Sequence, residues 1–236
     1  TFARNKIMNA LILAAGYGKR LRPITNEIPK CLVKIKDKIL LNIWLENLLS
    51  AGIKKILINT HHLADQVENF VKDSSYSNKI KIVREKTLLG TAGTLNANIN
   101  FFGKEDGILM HGDNYCLENI TSLISAHKKR PPECLMTMLT FKSSDPSSCG
   151  IVSLDNRGVV KNFYEKKKEN NGNIANGAIY ILSNKSLEII KNNFSEAKDF
   201  STEIIKNFLG KIYTFQTNKF FTDIGTLEEY ETAQKN

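Results

Sequence analysis

The chain of 236 residues predicts an α/β fold, a doubly wound, mostly parallel (mixed) sheet with helices on both faces and an inserted β region. Three observations carry this. Apolar runs of strand length alternate with helix-length segments whose apolar residues recur every three or four positions. That order changes after Cys149, where two strand-like runs flank Asp155-Asn156-Arg157-Gly158, a hairpin signature. No Pro/Ser-rich linker and no internal repeat interrupts the text, so one domain is expected over 8–236.

The elements follow in order. Residues 10–14 form a compact apolar strand that runs into a Gly-rich turn. Residues 40–49 repeat Leu at helical spacing around Trp44 and stop before Gly52, a natural helix terminator. Strand 55–59 precedes helix 63–71, strand 79–83 precedes helix 91–99, and strand 108–110 precedes helix 120–127. Residues 135–141 read as a strand, 151–154 and 159–164 as a hairpin, and 178–182 as a further strand. Helix 183–193, a helical stretch over 200–208, strands 213–215 and 220–222, and helix 226–233 complete the chain. Residues 1–7, ahead of Met8, read as a leader or linker remnant rather than a secretory signal, since Thr1–Lys6 are polar and lack an apolar core.

Composition narrows the class. With 42% hydrophobic and 24% charged residues the chain is globular rather than disordered. No apolar run reaches the length of a membrane-spanning helix, so no membrane partner is expected. Cys31, Cys116, Cys134 and Cys149 are scattered without a Cys-x-x-Cys pair, which reads as reduced thiols in a cytoplasmic protein. The net charge of +9 raises nucleic-acid binding. The lysines, however, are dispersed, and the densest run, Lys166–Lys168, has no aromatic residues between them for base stacking. The same field suits small phosphorylated substrates. A homo-oligomer and a further N-terminal module are both compatible with this text.

The strongest local signal follows the first strand: Leu13-Ala14-Ala15-Gly16-Tyr17-Gly18-Lys19-Arg20-Leu21-Arg22-Pro23, with Lys30 after Ile28-Pro29. In a doubly wound sheet this loop lies at the carboxyl end of a strand, where ligands bind. Small residues let backbone N–H groups approach phosphate oxygens, and Lys19, Arg20, Arg22 and Lys30 add cationic donors. A Walker loop is excluded because Gly-Lys-Ser/Thr is missing, and a dinucleotide fingerprint because position 21 is Leu. Concentrated positive charge suits a transferring triphosphate. Two further residues stand out at strand ends: Asp113 and Asp223. Two strands of one sheet can bring such carboxylates together, and two carboxylates plus phosphate oxygens suit Mg²⁺. Singly, each would pass for a turn former or helix cap. His61, His62 and His111 show no ligand spacing and read as core or surface residues.

The loop, ending in Pro29-Lys30-Cys31-Leu32, resembles the signature of the sugar-1-phosphate nucleotidylyltransferases, the group that includes the mannose-1-phosphate and heptose-1-phosphate guanylyltransferases. The likeness runs on through Leu89-Gly90-Thr91-Ala92-Gly93, Gly112-Asp113, Glu165-Lys166, Asn176-Gly177 and Asp223-Ile224-Gly225-Thr226. Lys19 departs from it, standing where many members have Thr, and the left-handed β-helix that several relatives carry is absent from the text.

The resemblance implies a Rossmann-like nucleotidyltransferase fold, with a nucleotide-binding part over about 8–115 and a sugar-binding part over about 116–236. It implies an enzyme that joins a nucleoside triphosphate to a sugar 1-phosphate with release of pyrophosphate. Arg20, Lys30 and Asp113 take the catalytic roles, and Asp113 and Asp223 hold Mg²⁺. Leu13, Ala14, Ala15, Gly16, Gly18, Lys19, Arg20, Glu85, Gly90 and Thr91 bind the nucleotide; Gly150, Glu165, Lys166, Asn176 and Gly177 take the sugar phosphate. Glu85 stands where thymidylyl and uridylyl relatives carry Gln. A carboxylate offers only acceptors, and guanine presents two adjacent donors, which favours GTP. Two rival readings stay open: another triphosphate or a non-sugar acceptor, as in a phosphocholine cytidylyltransferase, and a catalytically silent regulatory subunit. The Glu165-Lys166 and Asn176-Gly177 pairs favour a sugar. The presence of Arg20, Lys30, Asp113 and Asp223 opposes a silent subunit.

Overall fold

A computed structural model describes residues 8–165 and 171–236. The first half runs β1 (Asn9–Leu13), α1 (Ile24–Glu27), β2 (Lys34–Ile35), β3 (Lys38–Ile39), α2 (Leu40–Ser50), β4 (Lys55–Thr60), α3 (Ala64–Asp73), β5 (Ile80–Arg84), α4 (Thr91–Ala97), β6 (Gly107–His111) and β7 (Asn114–Cys116). The second half adds α5 (Ile120–Lys129), β8 (Met136–Lys142), β9 (Gly150–Leu154), β10 (Val160–Glu165), β11 (Ile174–Leu182), α6 (Asn184–Asn193), β12 (Ile212–Gln216), β13 (Phe221–Asp223) and α7 (Leu227–Lys235).

Nine of the described strands share one sheet, with the path β10-β9-β11-β6-β1-β4-β5 and β8 and β12 joined beside β11. β1 pairs in parallel with β4 and β6, β4 with β5, and β8 with β12. β11 runs antiparallel to β6, β8 and β9, and β10 antiparallel to β9, so the mixed character enters through these two strands. Side chains of β1 show why both faces are covered. Ala10 and Ile12 enter a core with Trp44, Leu45, Val67 and Leu123, from α2, α3 and α5. Leu11 enters the other, with Ala92, Leu95, Leu187 and Ile190 from α4 and α6. Alternate residues of a strand point to opposite faces, so an unbroken apolar run such as Ala10–Ile12 demands helices on both. Among the described residues no helix is long and apolar enough to cross a membrane.

The β9–β10 hairpin forms where the Asp155–Gly158 turn predicts it. Asp155 Oδ1 accepts the N–H groups of Arg157 and Val159, and Gly158 takes φ +77°, which glycine reaches without strain. Three expectations need correction. The stretch 200–208 is one π turn (Phe200–Ile204) followed by a 3₁₀ turn (Ile205–Phe208), not a regular helix. β11 begins four residues earlier than the apolar run at 178–182. Its first part bends away at Ala178, φ +50°, whose N–H is held by Asn176 Oδ1 at 2.9 Å. The strand that carries Asp223 lies outside the main sheet: β13 pairs only with β7, in a two-stranded antiparallel ribbon.

Candidate active site

The loop after β1 is fixed by side chains reaching it from three directions. Ala14 N–H donates to Asn59 Oδ1 (2.8 Å) at the end of β4. Thr25 Oγ1 donates to Gly18 C=O (2.8 Å), and Gly18 takes φ +60°. A Cβ on Gly18 would lie 2.8 Å from the Thr25 methyl, so conformation and space both demand glycine. Tyr17 Oη pairs with His61 Nε2 at 3.0 Å. His61 Nδ1 faces the Glu85 carbonyl at 2.9 Å, and since a carbonyl only accepts, Nδ1 is the donor. His62 likewise donates from Nε2 to the Thr25 carbonyl. The two histidines thus tether loops, in keeping with their lack of ligand spacing.

Lys30 follows Pro29 in a short 3₁₀ turn, with Leu32 N–H donating to the Pro29 carbonyl. Its Nζ donates to Asp113 Oδ2 at 2.6 Å and to Asp223 Oδ1 at 3.0 Å. Strand pairing makes this meeting. β13 sets Asp223 opposite Asn114, and Ile224 N–H donates to the Asp113 carbonyl, so the two acidic residues are neighbours across the ribbon. Two strands of one sheet were expected to bring the carboxylates together; a separate antiparallel ribbon does so instead. Arg20 Nη2 lies 3.8 Å from Asp223 Oδ2. Gly225 makes that approach feasible, since a Cβ there would lie 2.9 Å from Arg20 Nη2.

Charge and desolvation compete here. Loss of water opposes the Lys30 charge, but Asp113 and Asp223 outweigh it and hold the ammonium above the ordinary lysine value. Desolvation also works against Asp113, yet Lys30 prevails and holds its carboxyl below the ordinary range. For Asp223, desolvation and the neighbouring Asp113 charge together outweigh Lys30 and push the carboxyl up.

A cavity of about 240 Å³ opens over this cluster. Of the expected residues it is lined by Leu13, Ala14, Gly16, Gly18, Lys19, Arg20, Lys30 and Asp113. Ala15 is buried beneath the loop instead. Cys31, Gly112 and Gly225 line it too; each belongs to a run that carries the resemblance, but none was assigned a role in the site. The two glycines had a signal, since each stands within two residues of a strand-end aspartate. A Cβ on Gly112 would lie 2.8 Å from an Ile12 methyl and 3.2 Å from the Leu13 carbonyl.

Glu85, Gly90 and Thr91 lie beyond this cavity lining. Glu85, at the end of β5, is buried and its carboxylate faces inward. Oε1 accepts from Asn59 Nδ2 (2.9 Å) and Thr94 Oγ1 (2.6 Å), and Oε2 from Leu89 N–H (3.1 Å). Asn59 therefore joins Glu85 to the Ala14 loop, a link with no sequence signal. Gly90 takes φ +81°, and a Cβ there would collide with the Lys198 carbonyl. Thr91 Oγ1 accepts the Phe200 N–H at 2.7 Å, and Ala92 N–H donates to the Lys198 carbonyl at 3.0 Å.

On the far side, Gly150 pairs with Glu165 across β9 and β10, and a Cβ on Gly150 would meet the Phe163 ring at 2.7 Å and Glu165 Oε2 at 3.0 Å. Asn176 Nδ2 donates to Tyr180 Oη (2.7 Å). The Gly177 carbonyl accepts Asn114 Nδ2 (2.8 Å), which ties this wall to the residue after Asp113. Lys166 lies outside the described residues. Among the described residues no three His, Cys, Asp or Glu side chains form a metal cluster. The donor set is a pair, Asp113 and Asp223, already converging on one cation.

The Nucleotidyl transferase family model matches residues 9–236. The chain belongs to this family. It is 31% identical over 229 residues to the mannose-1-phosphate guanylyltransferase catalytic subunit beta of Drosophila melanogaster, covering 95% of this chain and 61% of that protein. Against the D-glycero-alpha-D-manno-heptose 1-phosphate guanylyltransferase of Campylobacter jejuni it is 30% identical over 229 residues, covering 94% of this chain and 97% of that one. The crystal structure of HddC from Yersinia pseudotuberculosis, complexed with GMP-PN, aligns with a TM-score of 0.79 at 27% identity, over 96% of this chain and 98% of that one. The chain thus spans about three fifths of the insect subunit and nearly the full length of the bacterial relatives.

Proposed function

We propose that this nucleotidyl transferase joins a nucleoside triphosphate, GTP by preference, to a sugar 1-phosphate and releases pyrophosphate. One observation carries the reading: Lys30, which lines the cavity with Asp113 and Arg20, bridges Asp113 to Asp223, and Arg20 lies 3.8 Å from Asp223. Cationic donors and a carboxylate pair that meet at one point are what a triphosphate with its cation needs. Asp113 and Asp223 would hold the Mg²⁺, which supplies neutralisation of phosphate charge when bound. The relatives' name, guanylyltransferase, and the GMP-PN of the Yersinia complex both support guanine. Glu85 favours it by residue type, as a carboxylate offers only acceptors, while in the ligand-free protein both of its oxygens accept from Asn59, Thr94 and Leu89.

The chemistry asks little of the protein beyond placement. A sugar phosphate is mostly dianionic near neutral pH because its second pKa is about 6. No general base is required, and the phosphate attacks the α-phosphorus directly in line with the departing pyrophosphate. Ala14, Gly16 and Gly18 bring backbone close to the phosphates. Arg20 stabilises the charge that grows on pyrophosphate, and Lys30 holds the α-phosphate or the incoming phosphate. Gly150, Glu165, Asn176 and Gly177, with Lys166, would orient the sugar phosphate on the opposite wall. Four free thiols support a reducing, cytoplasmic setting.

The test is pyrophosphate release with Mg²⁺, each of four nucleoside triphosphates, and a panel that includes mannose 1-phosphate and manno-heptose 1-phosphate. GTP with one of these sugars should give the highest rate. Release by no pair in the panel would defeat the reading.

A further inference from the structure

Lys30 stands where a cation belongs. Its side chain is only 11% exposed, whereas the carboxylates it bridges are 33% and 43% open to solvent. The ammonium therefore fills the point between Asp113 and Asp223 from the protein side, while the cavity reaches Asp113, and Asp223 stays partly open to solvent. We propose that Lys30 is the resident counter-ion of this carboxylate pair in the ligand-free protein, and that it yields the place to the divalent cation only when a triphosphate arrives with it. The inference rests on the assignment of Asp113 and Asp223 to the metal.

Charge pairing gives the reason. Two carboxylates aimed at one point repel unless a cation lies between them, and Lys30 meets that need without a metal. A divalent ion entering alone would expel the ammonium into a cleft already lined by Lys19 and Arg20. There it would face two further cations and no phosphate to receive it, which is costly. A triphosphate changes this balance. Its oxygens accept the displaced ammonium, so Lys30 passes from carboxylate to phosphate while the cation takes the carboxylates, and no charge is stranded. Lysine suits the exchange: it is a point charge on a flexible stem with no forked geometry to break. Metal and nucleotide affinities are then positively coupled through one side chain, and couplings of this kind are typically about 5–150-fold.

The probe is Mn²⁺ alone, titrated into the full chain without nucleotide and followed by the paramagnetic signal of the free ion. Wild type should bind weakly, in the millimolar range. Lys30→Met should bind at least about tenfold more tightly, with Lys30→Gln, which keeps a hydrogen-bond donor, between them; thermal melting confirms that each variant is folded. The proposal is overturned if wild type takes up one equivalent of Mn²⁺ alone at micromolar concentration, a result that needs no variant. It is equally overturned if Lys30→Met binds no better than wild type. Asp223→Asn separates the two levels. If it leaves Mn²⁺ uptake in the presence of a non-hydrolysable GTP analogue unchanged, the metal assignment itself fails and the counter-ion role falls with it. If it abolishes that uptake while wild type binds Mn²⁺ tightly alone, only the counter-ion role is lost.

Discussion

Gly225→Ala probes how Arg20 is placed. The added Cβ would lie 2.9 Å from Arg20 Nη2, and 3.1 Å from both Asp223 Oδ2 and Glu229 Oε2. Ordinary contact begins near 3.4 Å, so the guanidinium must retreat by about half an ångström. Arg20 is the group free to move, because its side chain is 65% exposed while Asp223 is held by Lys30. Gly225 does not have positive φ, so alanine adds no backbone strain and the melting temperature should stay within a degree or two of wild type. Turnover should not survive as well. A misplacement of about 1 Å can cost about 100-fold, so a retreat of half that predicts a loss of about tenfold. Complete removal in Arg20→Ala should cost about 100- to 1,000-fold, the usual price of a lost charge-stabilising donor. The decisive assay is the double-mutant cycle on pyrophosphate release. In the Arg20→Ala background the added methyl should change little, because its target is gone. An equal loss from Gly225→Ala in both backgrounds would show that the glycine acts by some route other than Arg20, and the placement argument would be wrong.

Two further outcomes follow from the same coordinates. Three donors converge on Glu85, so the amide of Glu85→Gln must turn its NH₂ toward either Leu89 N–H or the Asn59–Thr94 pair; one buried bond is lost, at about 1–3 kcal/mol, and a melting point unchanged within error would contradict this network. Under the guanine reading the same variant should also weaken the preference for GTP over UTP. Burial pushes the Cys31 thiol up to about 12 and Cys116 to about 11, and Cys134 is also buried, so all three stay protonated thiols as pH rises through 8 to 9, while half-exposed Cys149 remains open to solvent. A chromogenic disulfide at pH 8 should therefore titrate one thiol rapidly and the remaining three only in denaturant; four fast thiols would refute the burial described for them.

Much of the α/β frame could be read directly because its signals are local. The apolar run behind the Ala14–Gly18 loop, the Leu repeat of α2 and the Asp155–Gly158 turn each declare themselves within a dozen residues. The elements that escaped notice are short or interrupted. β2 and β3 have two residues each, and exist because α7 covers them, with Tyr230 Oη and Gln234 Nε2 both donating to the Lys34 carbonyl. β7 is Asn-Tyr-Cys, too brief for any periodicity. The first part of β11 contains Asn176-Gly177, which look like a turn and do bend the strand. In the site, charged residues on loops were legible, but their supports were not. Asn59 and Asn114 occur at ends of buried strands and reveal their work only through partners distant in sequence. Gly90 is a case of the right residue with a further reason: the Lys198 carbonyl occupies the space its side chain would take.

The ribbon of β7 and β13 explains why so much converges on Asp113. Its backbone receives the ribbon through Ile224 N–H, and the next residue, Asn114, is held on both sides. Trp44 Nε1, buried in the core, donates to the Asn114 carbonyl at 2.7 Å, and Asn114 Nδ2 donates to the Gly177 carbonyl at 2.8 Å. A buried donor without an acceptor costs about 1–3 kcal/mol, so each of these bonds resists displacement of the ribbon. The carboxylate pair is thus referenced to α2 on one side and to the bent β11 on the other, and both are parts of the rigid core rather than of loops. Arg20 and Lys19, by contrast, are exposed side chains on a short turn after Gly18. The division suits phosphoryl transfer. Under the proposed function, the groups that would fix a cation gain from preorganisation, since any drift weakens the field at the reacting phosphorus. The groups that would meet the triphosphate line the cavity as exposed side chains, and Arg20 keeps its place beside Asp223 through the space that Gly225 leaves.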